Sequence, residues 1–388
     1  MNKALLRPEI QQFIKTFQGN LPDLAFKGSP FKEVSVQELI QQIEGHRKCK
    51  EKLPLWHITE NIYYPPKVHI EQTSSEVTAR YKASLVFGKT LADITGGFGV
   101  DCYYFSEKFI TVHHYEQNTE LSKIAQHNFK ILKKEAVSFF SEDGLKGVKN
   151  NPYDVIYADP SRRHEAKGKV FFLKDCEPNI IENLEVLLKY GATLLIKTSP
   201  MLDISAGLRA LSNVSEVHIV AVENEVKELL WLIHKMPPKR NPQIKTVNFQ
   251  KGVPYFFDFE GNNANKMQYS NPLKYLYEPN AAIMKSGGFS ELSEAFNVPK
   301  LAEHSHLFTL DSFIEFPGRI FKILEVIPYS KLAMKPFLNF KAHVSTRNFP
   351  ETVAQLKKKW KISDGGETYL FFTTLENKER VVIKCEKM

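Results

Sequence analysis

The 388-residue sequence has few cysteines and no long apolar runs. Its four cysteines, at positions 49, 102, 176 and 385, form no CxxC pair and have no histidine cluster beside them, which argues against a zinc site and a disulfide framework. No apolar stretch reaches the roughly 20 residues that a bilayer-spanning helix needs. The first residues contain neither an apolar signal core nor a small-residue cleavage site. These absences predict a cytoplasmic protein without a metal site and without a membrane partner.

The overall composition is that of an ordinary globular protein, with 43% hydrophobic and 25% charged residues. The length suggests two or three domains of roughly 150 residues each. The formal charge is +8, and its distribution is uneven: residues 331–388 contain 12 Lys or Arg and 6 Asp or Glu. A basic segment of this kind favours a polyanionic partner such as nucleic acid, although basic surface also serves solubility.

The first 70 residues predict a helical N-terminal domain. Ser35–Glu38 (SVQE) has the form of a capping box ahead of a helical pattern, and Thr73–Glu76 (TSSE) repeats this form before a second helix. Between them, the two prolines of Tyr63–Pro66 (YYPP) interrupt helix and mark a boundary.

From about residue 89, short β-rich runs alternate with helix-length segments. Strand–helix alternation predicts parallel crossovers, and therefore an open α/β sheet with helices on both faces. The five alternating runs are TLADI, ITVHHYE, VSFF, YDVIYA and ATLLIK. Two more runs follow them, EVHIVAV and ELLWLI. Only ENEVK separates these two, which is too short for a crossover helix and predicts an antiparallel hairpin.

A Pro-rich stretch, MPPKRNPQ, follows the hairpin and is typical of a linker. The region beyond it has strands of its own, YLFFTTL and RVVIKC, and a helix, ETVAQLKKKWKI. The sequence therefore predicts an α/β domain over residues 71–240, followed by a smaller α+β region.

Polar residues stand at the ends of the first three predicted strands. Asp93 closes the first strand, and Gly96, Gly97 and Gly99 follow it, which allows a tight turn and a close approach of the backbone to a ligand. Glu116 ends the second strand, where an acid can accept hydrogen bonds from the ribose hydroxyls of an adenosine.

The loop after the third strand contains both Glu142 and Asp143, and we favour Asp143 as the partner of an adenine amino group. A glycine-rich turn and an acid are also found in nicotinamide enzymes. The dinucleotide fingerprint GxGxxG, counted from Gly97 and Gly99, requires a third glycine at position 102, where this chain has Cys102.

The fourth strand ends in the string YADPSRRH, Tyr157–His164. An Asp-Pro-Ser turn at Asp159, Pro160 and Ser161 holds a carboxylate and adjacent carbonyls in fixed geometry, which suits hydrogen bonding to the exocyclic amino group of a base. Arg162 and Arg163 stay protonated and are suited to binding phosphate through paired donors, unless they are solvated loop residues.

Together, DITGGFGVD and ADPSRR resemble the motifs of class I S-adenosylmethionine-dependent methyltransferases, in particular rRNA guanine-N2 methyltransferases. The resemblance implies a Rossmann-like sheet of seven strands that ends in a hairpin, and S-adenosylmethionine as cofactor. It implies that the segment Asp93–Gly99, with Thr95, contacts the cofactor, that Glu116 binds its ribose, and that residues 159–161 correspond to an Asp/Asn-Pro-Pro-aromatic motif. This chain departs from that motif, since Ser161 and Arg162 replace the second proline and the aromatic residue. Asp-Pro turns also occur in enzymes that act at ring carbon, but no cysteine nucleophile stands near this strand end.

The chain is also similar to a bacterial group with a THUMP-like C-terminal domain, through YLYEPNAAIMKSGGF, FPGRIFKILEV, VSTRNFP and SDGGETYLFFTT. This resemblance implies a linker and small ferredoxin-like unit over residues 241–321 and a THUMP-like α+β domain over residues 322–388. THUMP domains generally bind RNA, so the resemblance also implies an RNA partner such as tRNA or rRNA.

Further residues are candidates for contacts with cofactor or substrate. Gln72 and Ser75 precede the first strand, where related folds cover the methionine end of the cofactor, and Lys197 follows the fifth strand near the predicted substrate entrance. In the C-terminal region the candidates for a phosphate-binding face are Lys341, Arg347, Lys357, Lys358 and Lys359.

The sequence therefore predicts an S-adenosylmethionine-dependent methyltransferase that acts on a base in RNA, with the exocyclic amino nitrogen favoured. Asp159, Pro160 and Ser161 are its predicted catalytic residues. The alternatives are a non-catalytic RNA-binding protein with a cofactor-like pocket and a nicotinamide oxidoreductase. Cys102 and the terminal hairpin disfavour the oxidoreductase.

Overall fold

The computed structural model of the chain describes residues 1–162, 173–261 and 267–388, and for Arg162 the backbone alone. The helices of this part of the chain are α1 Pro8–Thr16, α2 Leu21–Lys27, α3 Val36–Lys52, α4 Pro54–Ile58, α5 Lys67–Gln72, α6 Glu76–Ser84, α7 Val100–Phe105, α8 Thr119–Ile131, α9 Gly144–Gly147, α10 Ile180–Tyr190, α11 Ile204–Ala210, α12 Ala281–Ser286, α13 Phe289–Phe296 and α14 Val353–Trp360.

The strands of the described residues are β1 Thr90–Asp93, β2 Thr111–Tyr115, β3 Val137–Phe140, β4 Tyr153–Ala158, β5 Ser161–Arg162, β6 Cys176–Glu177, β7 Gly191–Thr198, β8 Val214–Val222, β9 Glu225–His234, β10 Gln243–Gln250, β11 Val253–Glu260, β12 Tyr275–Pro279, β13 Phe308–Leu310, β14 Gly318–Pro328, β15 His343–Arg347, β16 Thr368–Thr374 and β17 Arg380–Lys387.

The N-terminal region is helical, and its local signals can be compared with the structure. The predicted capping box at Ser35 and Glu38 is confirmed, because each side chain bonds the other residue's backbone amide. The box predicted at Thr73 is wrong. Ser75 caps α6 instead, by accepting a hydrogen bond from the amide of Thr78, so the helix begins two residues later than the pattern indicated.

The predicted α/β sheet is confirmed, and its strand order places the motifs. β1 lies between β2 and β4 with parallel pairing to both, and β3 and β7 extend this parallel core on either side. The carboxyl ends of β1, β2, β3 and β4 therefore lie along one edge, which is where open α/β sheets bind ligands. Within the described residues the complete order is β11-β10-β8-β9-β7-β4-β1-β2-β3.

The antiparallel hairpin is present as β8 and β9, and β9 pairs antiparallel with β7. Its turn is Glu223 and Asn224, both at positive φ, as two-residue hairpin turns require. Among the described residues the sheet nevertheless has nine strands and not seven, because β10 and β11 form a second antiparallel hairpin where the sequence predicts a linker and the start of the ferredoxin-like unit. The signal was present in the sequence: Lys251–Gly252 separates two alternating β-rich runs and takes the positive φ of a tight turn.

The chain divides into two compact units, of which the first contains residues 1–217 and 229–240 and the second contains residues 218–228 and 241–388. The second unit contains a six-stranded sheet in the order β13-β12-β14-β17-β16-β15, in which only the β15–β16 pairing is parallel. Its core includes the buried residues Leu276, Phe321, Phe371 and Ile383.

Among the helices of the described residues, none has both the length and the apolar character that crossing a membrane requires.

Candidate functional site

The glycine-rich loop after β1 is closely packed on its inner side. A Cβ atom on Gly96 would lie 2.4 Å from the ring of His114, and one on Gly99, which has φ +87°, would lie 2.7 Å from the ring of Phe129. Gly97 also has positive φ, but a Cβ there would meet only the carbonyl of Thr95, at 3.7 Å. The loop is therefore packed against β2 at Gly96 and against α8 at Gly99, and it leaves open space above Gly97.

Asp93 lies beneath this loop and organises it. The carboxylate is 1% exposed and accepts hydrogen bonds from the amide and hydroxyl of Thr95, at 2.9 and 3.2 Å, and from the thiol of Cys102, at 3.3 Å. Burial raises the pKa of Asp93 to about 7, an effect that the hydrogen bonds from Thr95 only partly offset. Asp93 thus shapes the loop from below and has little exposed surface of its own.

Glu116 reaches from the end of β2 to the glycine loop. Its Oε2 accepts a hydrogen bond from the amide of Gly97 at 2.9 Å, and its Oε1 accepts one from the amide of Asn118 at 2.7 Å. A carboxylate oxygen can accept more than one hydrogen bond, so both oxygens can also receive hydroxyl donors. The predicted ribose acid and the predicted glycine loop are in direct contact.

The end of β3 approaches the same place. Asp143 caps α9 by accepting a hydrogen bond from the amide of Leu145 at 2.9 Å. The adjacent Gly144 packs so closely on the end of β1 that a Cβ would lie 2.5 Å from the carbonyl oxygen of Ile94. The predicted cofactor positions that follow β1, β2 and β3 therefore lie at one edge of the sheet.

The Asp-Pro turn after β4 is joined to the glycine loop by a single side chain. The amide of Asp159 donates to the hydroxyl of Thr95 at 2.7 Å, and that hydroxyl in turn donates to Asp93. Thr95 therefore fixes the backbone of the predicted acceptor motif against the predicted cofactor loop. Because the two stretches are 64 residues apart in the chain, only the tertiary fold brings them together.

Lys197, at the end of β7, forms an ion pair with Asp159, with 2.5 Å between Nζ and Oδ2. The sequence predicts that Lys197 lies at the substrate entrance, but no sequence pattern pairs it with Asp159. The Lys197 side chain is 13% exposed and that of Asp159 is 31% exposed, so the pair lies partly out of solvent. The ion pair uses Oδ2 and leaves Oδ1 outside it.

Behind the Asp-Pro turn lies a buried polar network that the sequence did not predict. Lys82 of α6 is 0% exposed and pairs with Asp101 of α7 at 3.3 Å. Oδ2 of Asp101 accepts hydrogen bonds from the hydroxyls of Ser74 and Tyr157, at 2.9 and 2.8 Å, and Lys82 also donates to Ser74. The network joins the segment before β1, the helix after the glycine loop and the strand that carries Asp159.

Helical periodicity gave no indication of this network, because a lysine within a polar helical pattern is usually exposed. The one sequence signal for the network was Asp101, which is the second aspartate of the motif DITGGFGVD.

The other residues predicted to contact the cofactor or the substrate differ in how exposed they are. Pro160 is buried and Ser161 is exposed, and the short strand β5 pairs antiparallel with β6. Arg163 and the side chain of Arg162 lie outside the described residues, so their predicted phosphate contacts stay a prediction. Gln72 is exposed at the end of α5, whereas Ser75 serves as the helix cap described above.

In the second unit, three of the five cations proposed for a phosphate-binding face have acidic partners. Arg347 and Arg319 both pair with the buried carboxylate of Glu278. Lys357 pairs with Asp364, and Lys359 pairs with Glu351. These contacts give the three cations structural roles within the domain, and no such pair involves Lys341 or Lys358 among the residues that the structure describes. Over the same described ranges, no group of three His, Cys, Asp or Glu residues is arranged to hold a metal ion.

Comparison with protein families identifies two domains in the second unit. Residues 275–317 match a ferredoxin-like domain, and residues 318–387 match a THUMP domain-like family. No curated protein sequence matches the chain.

Solved structures resemble the chain to very different extents. A proposed methyltransferase from Porphyromonas gingivalis W83 is 32% identical, with a TM-score of 0.87, over 99% of this chain and 98% of that one. An rRNA methylase from Streptococcus thermophilus is 14% identical, with a TM-score of 0.31, over 41% of this chain and 94% of that one. A proposed methyltransferase from Streptococcus mutans, solved with S-adenosylhomocysteine, is also 14% identical, with a TM-score of 0.31, over 41% of this chain and 96% of that one.

The likeness to the Porphyromonas gingivalis protein extends over nearly the whole of both chains. The protein therefore belongs to the family of that protein, the class I methyltransferases with a THUMP-like C-terminal domain.

Proposed function

We propose that the protein is an S-adenosylmethionine-dependent methyltransferase that modifies a base in RNA, such as tRNA or rRNA, at an exocyclic amino nitrogen. The observation that carries the proposal is the hydrogen bond of 2.7 Å between the amide of Asp159 and the hydroxyl of Thr95. It sets the acceptor motif directly beside the glycine loop, and methyl transfer requires the two reactants to be held side by side.

The residues around the glycine loop fit the cofactor. The open space above Gly97 admits a ligand close to the backbone, Glu116 offers two carboxylate oxygens to ribose hydroxyls, and Asp143 can accept a hydrogen bond from an adenine amino group. Oδ1 of Asp101 is buried and, within the described residues, has no hydrogen-bond partner although Lys82 lies 3.3 Å away, so it could accept a hydrogen bond from the amino group at the methionine end of the cofactor. When bound, S-adenosylmethionine supplies an activated methyl group.

Asp159 would orient the acceptor. Its Oδ1 can accept a hydrogen bond from the amino group of a base, while the ion pair with Lys197 at Oδ2 fixes the orientation of the carboxylate. Pro160 restricts the backbone at this point, so the carbonyls of the turn keep their directions. An acceptor nitrogen that has received a methyl group must lose a proton, and Oδ1 of Asp159 would receive it.

The RNA substrate is supported by charge and by domain content. The chain has a formal charge of +8, of which +6 falls in residues 331–388, within a region that matches a THUMP-like domain over 318–387. Basic surface of this kind suits a phosphate backbone, because released counterions contribute to binding.

The substrate can be identified by mass spectrometry of nucleosides from the RNA of a strain that lacks the protein and from its parent strain. We expect one methylated nucleoside to be missing, and its restoration by purified protein with S-adenosylmethionine. If no nucleoside differs and no methyl group enters total RNA, the non-catalytic RNA-binding alternative is favoured.

Two variants separate cofactor binding from catalysis. Glu116→Ala combined with Gly97→Val should abolish binding of S-adenosylhomocysteine in calorimetry, because it removes the ribose acceptor and fills the open space. Asp159→Ala should bind S-adenosylhomocysteine and RNA but lose methyl transfer by about 100-fold or more, the usual range for a positioned acid–base group. Glu185→Ala, which removes an exposed carboxylate of α10, is the matched control and should behave as the parent.

A further inference from the structure

A groove in the first unit lies between the short 3-10 helix Lys3–Leu6 and α8. Its volume is about 820 Å³, and residues of the 3-10 helix, of α8 and of β3 line it. In the described strand order β3 is the last strand of the large sheet, and β1 and β2 separate it from β4. The groove is therefore a second concave surface, three strands away from the strand that carries the Asp-Pro turn.

Hydrogen bonds join the two walls of the groove. The amide of Tyr63 donates to Oδ1 of Asn128 at 2.8 Å, and Nδ2 of Asn128 donates to the carbonyl of Tyr63 at 2.9 Å. The hydroxyl of the same tyrosine accepts a hydrogen bond from the amide of Asn2 at 3.2 Å, next to the 3-10 helix. The ring of His127 lies 2.9 Å from the carbonyl of Asn61. Because these contacts fix the walls, a ligand need not order the groove when it binds.

The α8 wall carries a row of basic side chains. Lys123, His127 and Lys130 stand at i, i+4 and i+7, which places them on one face of the helix, and all three line the groove. Lys134 lines it beyond the end of α8, and Lys3 lines it from the opposite wall. A groove with cations along its length is the arrangement with which proteins follow the backbone of a single-stranded nucleic acid.

The charged groups that line the groove have an excess of positive charge. Four lysines and the amino group of Met1 face two carboxylates, those of Glu120 and Glu135. Lys134 also pairs at 3.1 Å with Glu107, which lies outside the lining. With Glu107 included and histidine taken as neutral, five positive groups and three carboxylates leave a net charge of +2.

Two of these cations are available to a ligand. Glu120 is shared by the amino group of Met1, at 2.7 Å, and by Lys123, at 3.0 Å. Lys3 and Lys130 are exposed, and no ion pair involves either of them within the part of the chain that the structure describes. An anion could therefore bind both lysines without displacing a carboxylate.

Phe139 of β3 gives the groove an aromatic surface. Its ring is partly exposed and is held by two other rings, with centroid distances of 5.1 Å to Phe129 and 4.9 Å to His114. Bases of a single strand stack on such rings without regard to sequence, whereas a duplex keeps its bases inside. An aromatic ring beside unpaired lysines therefore favours single-stranded RNA over a duplex.

We propose that this groove binds a single-stranded segment of the substrate RNA, with Lys3 and Lys130 on its phosphates and Phe139 against one base. Three strand spacings separate β3 from β4, about 14 Å, so the segment lies outside the acceptor nucleotide. The inference rests on the proposed function and extends it, because it assigns RNA contacts to the N-terminal region and α8. A peptide that pairs with β3 is the competing occupant, but the excess of positive charge favours RNA.

The inference is tested with the double variant Lys3→Gln and Lys130→Gln in the full-length protein. The probe is a fluorescein-labelled oligouridylate of about 12 nucleotides, and fluorescence anisotropy at several KCl concentrations gives Kd. We expect Kd to rise by about tenfold and the slope of log Kd against log salt to decrease by about 1.4, since each phosphate contact with a single strand contributes about 0.7. Binding of S-adenosylhomocysteine should be unchanged.

A matched control removes the same charge elsewhere in the first unit. Lys89→Gln with Lys189→Gln replaces two exposed lysines that precede β1 and β7 and do not line the groove. This variant should bind the oligonucleotide as the parent does. Phe139→Leu should raise Kd by about fivefold or more through loss of stacking, with an unchanged salt slope because no charge is lost.

Labelling of the parent protein gives a readout that does not depend on the folding of a variant. The oligouridylate should protect Lys3 and Lys130 from acetylation more than it protects Lys89 and Lys189. Protection is read by peptide mass spectrometry with and without the oligonucleotide.

Each outcome decides one question. If the two double variants bind the oligonucleotide equally well, or if RNA protects neither Lys3 nor Lys130, the groove does not bind RNA and the inference is wrong. An unchanged Kd for Phe139→Leu overturns the base contact. If the parent binds the oligonucleotide in the groove but binds no S-adenosylhomocysteine and transfers no methyl group to RNA from a strain that lacks the protein, the proposed function fails. An active parent with an unaffected Lys3 and Lys130 variant is the opposite result.

Discussion

Replacing Lys82 with methionine tests the buried network that joins α6, α7 and β4. The lysine is 0% exposed, and its ion pair with Asp101 at 3.3 Å lies out of solvent. Methionine has a similar length and an apolar side chain, so it should fill the space of the lysine stem while removing the charge. The carboxylate of Asp101, which also accepts hydrogen bonds from Ser74 and Tyr157, would then be left buried without a cation.

Removal of one partner from a buried ion pair costs about 3–5 kcal/mol of the free energy of unfolding. For a unit of about 150–250 residues, each kcal/mol lowers Tm by about 2–4 °C, so the variant should melt roughly 6–20 °C below the parent. Differential scanning calorimetry and urea unfolding should both show the loss. The double variant Lys82→Met with Asp101→Asn should recover part of it, because no unpaired charge is then buried.

The matched control is Lys123→Met, which removes a lysine from an exposed helical ion pair with Glu120. Exposed pairs contribute about 0–1 kcal/mol, so this variant should melt close to the parent. If Lys82→Met is no more destabilising than Lys123→Met, the buried network does not stabilise the fold in the way argued above.

Three further perturbations test other parts of the structure. Burial lowers the pKa of His114 to about 4 from 6.5, so on acidification the unfolded chain binds a proton that the native state excludes. The free energy of unfolding of the parent should therefore fall by about 3 kcal/mol from this group as pH falls from 6.5 to 4. His114→Gln should lack this part of the acid sensitivity in urea titrations at each pH. Gly144→Ala places a Cβ 2.5 Å from a carbonyl oxygen, so it should lower the free energy of unfolding by about 1–3 kcal/mol and weaken binding of S-adenosylhomocysteine. The control is Gly252→Ala, at a position with φ +81° and open space, which should lower the free energy of unfolding by about 1–2 kcal/mol and leave that binding unchanged. Equal losses of binding in the two variants would contradict the close packing at Gly144. Glu278→Gln leaves two arginines around a neutral amide and should destabilise the second unit by about 2–4 kcal/mol in urea unfolding. The expected loss is smaller than for a fully buried ion pair because the side chain of Arg319 is 34% exposed. An unchanged urea transition would show that the pairing does not stabilise the second unit.

Several structural elements could be read from the sequence because their signals are local. The serine cap of α3, the β-rich runs of the core strands and the tight turn between β8 and β9 each depend on residues within a few positions of each other. The cap of α6 was misplaced by two residues, since Thr73 and Ser75 both fit a capping pattern and the packing of Ser74 decides between them. The β10–β11 hairpin was missed because a neighbouring Pro-rich stretch suggested a linker.

The sequence by itself determined where the strands end and which polar residues stand at those ends, because strand periodicity, glycine turns and the Asp-Pro pair are properties of short segments. Only the tertiary structure decided that Thr95 bonds the amide of Asp159 and that Lys197 pairs with its carboxylate. Each of these contacts joins residues far apart in the chain, and their distances depend on how whole strands and helices pack, which no local pattern encodes.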